Sequence, residues 1–568
     1  MKNYLLILCA YFILFCSCYA CSDSNNDENK TDNGKEEQEK PLEIKFSKGV
    51  NLSDWFLANS DSEIYKNVYS KQDFENIKSL GIDAVRLPVR FYKIADAAPD
   101  YTLSQSFLDK LDYALDLAEE VGLHIIIDNH SYFASNAFPQ NYGEEQLTKI
   151  WQQVAQHCKN RSDLVYYELY NEPDGDYMKQ NWGEMQGRFI EAIRKIDTKH
   201  TIIVGSCEAN SPTTLKDLPQ YEDKNLIYTF HFYDPFLFTH QGSDWTLLKN
   251  VKGVPFPYES ASSMPECPPD LVGTGKWGDG LFANYPTDGT VAVVKNNIDE
   301  AVTFARSRNV PVFCGEFGVY MDGTDNDQRC FWYKTVCDYF KEKNIAWTMW
   351  DYHNSFGLYK VGTSYRFEYD LNVALLEALK LNVPPSYTSG DKPNIPFYMD
   401  NISDVMKDAS WNPDGQLNFD YQIDPYQGTK SIYWKIGSEW SSLTIEIWPT
   451  ISATEQLNAE YVLQFAIKST SKINMQVRFV EYQDSSYPWR NTFSITEGMI
   501  KDDGSWSVIS IPLSSFVETG AVKDGNYYES QGLFNWGHIN RLEFAIEGNE
   551  NMINTVLQID NIQITKPK

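Results

Sequence analysis

Two glutamates stand where this sequence could do chemistry. Glu172 closes the run LVYYELYNEP (164–173), and Glu316 ends VPVFCGEF (310–317) in the short motif GEFG. A β-branched and aromatic run stopped by a polar pair and a proline reads as a buried parallel strand with a carboxylate at its C-terminal end. Two carboxyl groups held face to face, one protonated and one ionised, can protonate a leaving oxygen while attacking the carbon that carries it. That is the chemistry of glycosidic bond cleavage. Other polar residues fall at comparable positions: Arg86 in RLPV, His130 in DNHSY, Asn171 beside Glu172, His231 and Tyr233 in FHFY, and Trp350 in TMWDYHNSFG. Each taken singly reads as core packing. Together at strand ends they read as one rim.

The elements that must place them follow from the alternation of patterns. Strand-like runs occur at 45–52, 83–89, 124–129, 164–171, 201–206, 225–232, 310–317 and 345–350. Amphipathic stretches lie between them, at 107–122, 182–196, 297–308 and 327–343 among others. Eight strands alternating with helices predict a closed parallel barrel, an α/β fold of the (β/α)8 TIM type. In such a barrel every strand end named above converges on one face. The longest interruption, 233–290, carries Trp245, Phe256, Tyr258, Trp277 and Tyr285 and is expected to serve the site rather than idle.

Together LYNEP, RLPV, FHFY, GEFG and the strand-eight WD…FG resemble glycoside hydrolase family 5, of the clan with catalytic glutamates on strands four and seven, over residues 43–383. The resemblance implies a retaining double displacement, with Glu172 as acid/base and Glu316 as nucleophile, and no cofactor for catalysis. It further implies that Asn171 holds the sugar 2-hydroxyl, that Arg86 and Tyr233 poise Glu316, that His130 and His231 line the reacting subsite, and that Trp350 is its stacking floor. Ser131 departs from the pattern, since many members carry a second His there. Glu168 shares a face with the strand-four end and is expected lower in the barrel as a structural partner. The implied substrate is a β-linked polysaccharide, first an endo-β-1,4-glucan as in cellulases. Mannan, xyloglucan and mixed-linkage glucan are the alternatives within the family, and a non-catalytic surface glycan-binding protein is the alternative outside it.

Beyond Val383 helix signals give way to short alternating strands at 430–436, 443–448, 461–469, 474–482, 506–513, 541–547 and 556–564. These predict an all-β jelly-roll or β-sandwich, which resembles the carbohydrate-binding modules attached to such enzymes. Its best exposed-ring candidates are Tyr487-Pro488-Trp489 and Tyr527-Tyr528, taken as loop residues. Asp400 and Asp560 are candidate ligands for a structural calcium.

The N-terminus sets the compartment. One lysine precedes an apolar run from Tyr4 to Phe15, followed by small residues, cysteines and the acidic tract SDSNNDENKTDNGKEEQEK. The run is too short to span a membrane comfortably. It resembles a bacterial lipoprotein signal, with Cys21 as the lipidated residue and Cys18 as its rival, and the acidic tract resembles the surface-export tethers of Bacteroidetes lipoproteins. The expected localisation is the outer membrane, exposed at the cell surface, with periplasmic or secreted forms as alternatives. The expected division is a signal at 1–21, a disordered tether at 22–42, the barrel at 43–385, a linker at 386–396 and the sandwich at 397–568. A net charge of −29 argues against nucleic-acid partners. Membrane contact through a lipid anchor only, and a monomer, complete the expectation. The six cysteines outside the signal show no metal spacing and read mostly as buried free thiols, with at most one or two bridges.

Overall fold

The computed structural model describes residues 42–131, 143–271, 277–363, 365–368, 370–388, 391–403, 406–483 and 487–567. The lipidation candidates Cys21 and Cys18, the signal and nearly all of the tether lie outside the described residues. Eight parallel strands close into a barrel: β1 (Lys48–Asn51), β2 (Ala84–Val89), β3 (His124–Asn129), β4 (Val165–Glu168), β5 (Thr201–Gly205), β6 (Leu226–Phe232), β7 (Val312–Phe317) and β8 (Ala346–Met349). β8 pairs back onto β1 and leaves the barrel no edge. The helices between them begin where side chains can cap them. Ser70, Ser104, Thr290 and Asp325 each accept a backbone N–H in the first turn of the helix that follows.

Inward-facing residues stack in layers. At the bottom Ala84, Ile126, Tyr166, Ile203, Ile227, Phe313 and Ala346 form an apolar floor that Phe46 plugs. Two residues further along the same strands, the period-two pattern brings Arg86, Asp128, Glu168, Thr229 and Thr348 inward, all buried. The barrel interior therefore changes from apolar to ionic within one layer, just below the rim.

Residues 395–565 form two antiparallel sheets of seven and six strands with an apolar core between them. Trp434 lies in that core, whereas Trp411, Trp440 and Trp448 are exposed on its surface. The ring candidates are corrected in part. Tyr487, Pro488 and Trp489 open a strand, Tyr487–Ile495, and Trp489 is buried. Tyr527 and Tyr528 lie on the short strand Asn526–Tyr528, with Tyr527 exposed. Asp400 Oδ1 accepts the amides of Thr429 and Lys430 at 2.8 Å each, and Asp560 accepts those of Tyr426, Gln427 and Asn561 at 2.7–3.0 Å. Backbone donors thus meet one oxygen of Asp400 and both of Asp560. The six cysteines from Cys158 to Cys337 are free thiols.

Candidate active site

The rim is organised around Arg86 on β2, whose side chain is fully buried. Its guanidinium forks onto Glu168 through Nε (2.8 Å) and Nη2 (2.9 Å), reaches Asp128 at 3.0 Å and donates to Glu316 Oε1 at 2.7 Å. Asn51 and Asn171 offer their side-chain oxygens to the same group at 2.9 and 3.0 Å. Only arginine presents enough N–H donors in one plane to serve so many acceptors. Glu168 is thus the structural partner that its place on β4 implied.

Glu316 reaches this network through an irregularity. Along β6 and β7, Phe230 pairs with Cys314 but His231 pairs with Glu316, so Gly315 is the extra residue of a bulge. A Cβ on Gly315 would lie 2.6 Å from Thr229 Oγ1, which explains the glycine of GEFG. The bulge re-aims the carboxylate, as bulges beside active sites do. Each Glu316 oxygen then accepts one proton donor: Oε1 from Arg86, and Oε2 from the Tyr233 hydroxyl at 2.9 Å.

Glu172 follows β4 with φ +49°, a left-handed backbone that costs a non-glycine residue roughly 1–2 kcal/mol. Its Oε1 lies 2.7 Å from Nδ1 of His231, and the same nitrogen is 3.6 Å from Glu316 Oε2. One oxygen of Glu172, the His231 nitrogen and one oxygen of Glu316 all lie within 4.8 Å of one another. That closest approach is compatible with two carboxyl groups about 5–5.5 Å apart, the separation of a retaining pair. These three are also metal-ligand types. Proton donors already occupy both Glu316 oxygens, however, so the arrangement is complete as a proton-handling site.

Electrostatics divide the roles. Burial pushes the Glu172 carboxyl above the ordinary glutamate range, with Asp174 adding to the rise and His130 and Arg86 opposing it. The surrounding protein is thus the largest influence on this carboxyl. Burial also pulls His130 and His231 down to about 4, so both are neutral near pH 7. His130 sits 2.7 Å from Asp128 and stacks on Trp350, with ring centroids 5.5 Å apart and planes at 21°. Ser131 turns away to Asn129 at 2.5 Å.

His130, Glu172, His231, Tyr233, Glu316 and Trp350 line a cleft of about 740 Å³. Its far wall comes from the 233–290 segment, through Phe236, His240 and Trp245, and from Phe356. His240 stacks on Phe236 at 3.9 Å, and Trp245 stands edge-on to Tyr320 at 5.1 Å. Arg86, His130, Asn171, Glu172, His231, Tyr233, Glu316 and Trp350 are thus brought together at one rim. Sequence reasoning missed Asn51, Asp128 and Asn210. Asp128 stands two residues before His130, and strand alternation could have placed it below that ring. Asn51 and Asn210 carry no such signal.

A barrel with two facing carboxyl groups at its C-terminal rim defines a hydrolase of the TIM-barrel class. Residues 43–356 match the family described as cellulase (glycosyl hydrolase family 5), and the chain belongs to that family. Endoglucanase 3 of Fibrobacter succinogenes is 30% identical over 346 residues, covering 57% of this chain and 52% of that protein. Endoglucanase H of Acetivibrio thermocellus is 26% identical over 527 residues, covering 84% of this chain and 50% of its own length. The chain spans about half the length of these two curated relatives. Among solved structures, an endoglucanase of Thermotoga maritima is 26% identical with a TM-score of 0.49, covering 59% of this chain and 96% of that one.

The ionic knot makes a prediction about stability. Arg86→Met should lower unfolding stability by about 3–5 kcal/mol, because it leaves buried carboxylates without their counter-charge. Glu316→Gln, which relieves the crowding of acids around one arginine, should leave stability unchanged or raised. Urea denaturation followed by tryptophan fluorescence measures both. A neutral Arg86→Met would show that the knot is not what holds the rim.

Proposed function

We propose that the protein is an endo-acting β-1,4-glucanase that cleaves by retaining double displacement. Glu172 is the acid/base and Glu316 the nucleophile. The observation that carries the proposal is the Glu172–His231–Glu316 cluster at the ends of β4, β6 and β7, with its closest atoms within 4.8 Å. In the first step the Glu172 proton passes to the departing glycosidic oxygen while Glu316 attacks the anomeric carbon. In the second a water, deprotonated by Glu172, releases the sugar with its original configuration. Arg86 and Tyr233 spread the charge of Glu316 before attack. Arg86 occupies Oδ1 of Asn171, which leaves its Nδ2 to donate to the sugar 2-hydroxyl. Trp350, steadied by His130, is the floor under the reacting ring. The support for a glucan comes from the endoglucanase names of the relatives.

Reducing-sugar release from carboxymethyl cellulose, lichenan, xyloglucan, glucomannan and galactomannan tests substrate and catalysis together. Cleavage of carboxymethyl cellulose is expected, with Glu316→Ala and Glu172→Ala each lowering it by about 10³-fold or more. Silence on every polymer with binding to one retained would replace the enzyme with a glycan-binding protein. A new α-anomer in freshly cut product would overturn the retaining mechanism.

The raised Glu172 sets the pH profile. Glu172 must be protonated to act as the acid, so kcat/KM should fall as pH rises through its folded pKa. That alkaline limb should lie above the ordinary glutamate value of about 4.3. A limb at or below that value would show that the cleft does not raise this group.

We further propose that the chain is a lipoprotein, anchored through Cys21 and displayed at the outer surface of the outer membrane, acting there as a monomer. The apolar run, the cysteines after it and the acidic tether support this reading. Labelling of cells with a radioactive fatty acid should mark the protein and should fail in Cys21→Ala. Persistence of the label in that variant would move the anchor to Cys18.

A further inference from the structure

β5 carries no member of the catalytic set, yet the segment after it has an unusual backbone. Glu208, Ala209 and Asn210 follow one another with φ of 56°, 56° and 55°, a left-handed turn made without a single glycine. Such runs are rare, because each Cβ crowds its neighbouring carbonyl. Glu208 and Ala209 line the catalytic cleft, and the Ala209 amide approaches the carbonyl of Pro173, next to Glu172. The turn delivers one side chain inward. Asn210 is fully buried, and its Nδ2 lies 3.3 Å from Nε2 of His231. The amide fits there because β5 ends in glycine: a Cβ on Gly205 would stand 2.2 Å from Asn210 Oδ1.

We propose that Asn210 is a positioning residue that fixes the tautomer of His231 and, through it, the oxygen of Glu172 that carries the catalytic proton. The inference rests on the acid/base role proposed above for Glu172. A neutral imidazole has one N–H and one acceptor nitrogen. The Asn210 amide donates to Nε2, so Nε2 is the acceptor and the hydrogen sits on Nδ1. Nδ1–H then points at Glu172 Oε1, 2.7 Å away. An oxygen already accepting that hydrogen is not the one to hold the acid proton, so the proton is directed to Oε2, the oxygen left for the glycosidic bond. After that proton is given up, the same Nδ1–H stabilises the carboxylate that acts as base. The histidine therefore serves both half-reactions without changing its own protonation, provided that its tautomer is held.

At Nδ1 the ring meets Glu172 and Glu316, whose ionised oxygens accept a hydrogen but whose protonated form donates one, so among the described residues Asn210 is the partner that favours Nδ1–H in both states. Around His231 and Glu172 stand Glu316, Arg86, Glu168, His130 and Asp174, with Tyr233 on Glu316. These charges act on the protonation of the pair. Asn210 is the hydrogen-bond partner at Nε2, from the turn after a strand that contributes nothing else to the chemistry.

Two measurements on the full chain test this. In protein carrying ¹⁵N-labelled histidine, the His231 signal is assigned by its loss in His231→Gln, and the shifts of its two nitrogens show which bears the hydrogen. The Nδ1–H form is expected in the natural chain. Asn210→Asp, which offers Nε2 an acceptor in place of a donor, should move the hydrogen to Nε2. In Asn210→Ala, Nδ1 is no longer held as a donor, and the alkaline limb of kcat/KM should move up by about one pH unit. A merely structural Asn210 would lower the melting temperature without moving either readout. Nε2–H in the natural chain overturns the inference even where polymers are cleaved. Nδ1–H supports it even where they are not, so the two readings fail separately. An unmoved pH limb in a folded Asn210→Ala overturns it as well.

Discussion

The whole rim depends on one buried positive charge. Arg86 has no water to solvate it, and Asp128, Glu168 and Glu316 surround it. A lone guanidinium in such a place would be prohibitively costly, and so would any one of the three carboxylates. Held together they are tolerable, but only in one geometry, because the fork of N–H donors is planar and rigid. Arginine therefore measures the distances between β2, β3, β4 and β7. The apolar floor beneath it does the ordinary work of closing the barrel. The ionic layer above decides how the strand ends are phased, and with them the two glutamates.

That layer also explains how two chemically identical side chains come to differ. Glu316 accepts from Arg86 and Tyr233 and is held as an acceptor on both oxygens. Glu172 stands outside the guanidinium's direct reach, against a neutral histidine and under protein walls that push its carboxyl up. Environment thus separates the pair in the direction that the proposed roles of nucleophile and acid require, the same logic by which other paired carboxylates divide their labour. Both glutamates are also placed by local departures from regular structure. One follows the bulge at Gly315, and the other has a left-handed backbone ahead of Pro173. A regular barrel would aim neither of them as they are aimed here.

Much of this was legible in the sequence. Buried parallel strands are continuous apolar runs, so all eight were found where they lie, and their polar terminal residues converged as a closed barrel requires. Period-two alternation placed Glu168 on the inner face of β4. The same alternation gave less in the C-terminal sheets. There it did not tell the core ring Trp434 from the exposed Trp448, and it could not show that Tyr487–Trp489 open a strand. A Tyr-Pro-Trp triplet has the composition of a loop, and its pairing with the strand Met475–Gln483, and that of Trp489 with Ala521, make it part of a sheet.

What stayed hidden has a common physical origin. The bulge at Gly315, the φ of Glu172 and the left-handed turn at Glu208–Asn210 are not propensities of the residues concerned. Glutamate, alanine and asparagine in sequence favour a helix start, a cap or a turn, and none of them in isolation would take a left-handed conformation three times running. The surrounding contacts impose it: the Ala209 amide meets the Pro173 carbonyl, Gly205 leaves room for the Asn210 amide, and His231 meets that amide at its far nitrogen. Local preference fails at such positions because the fold overrides it, and the fold overrides it beside the catalytic pair, where strain can be exchanged for aim. Residues whose backbone contradicts their own preference are therefore the ones to search for function when no motif marks them. Asn210 is such a residue here.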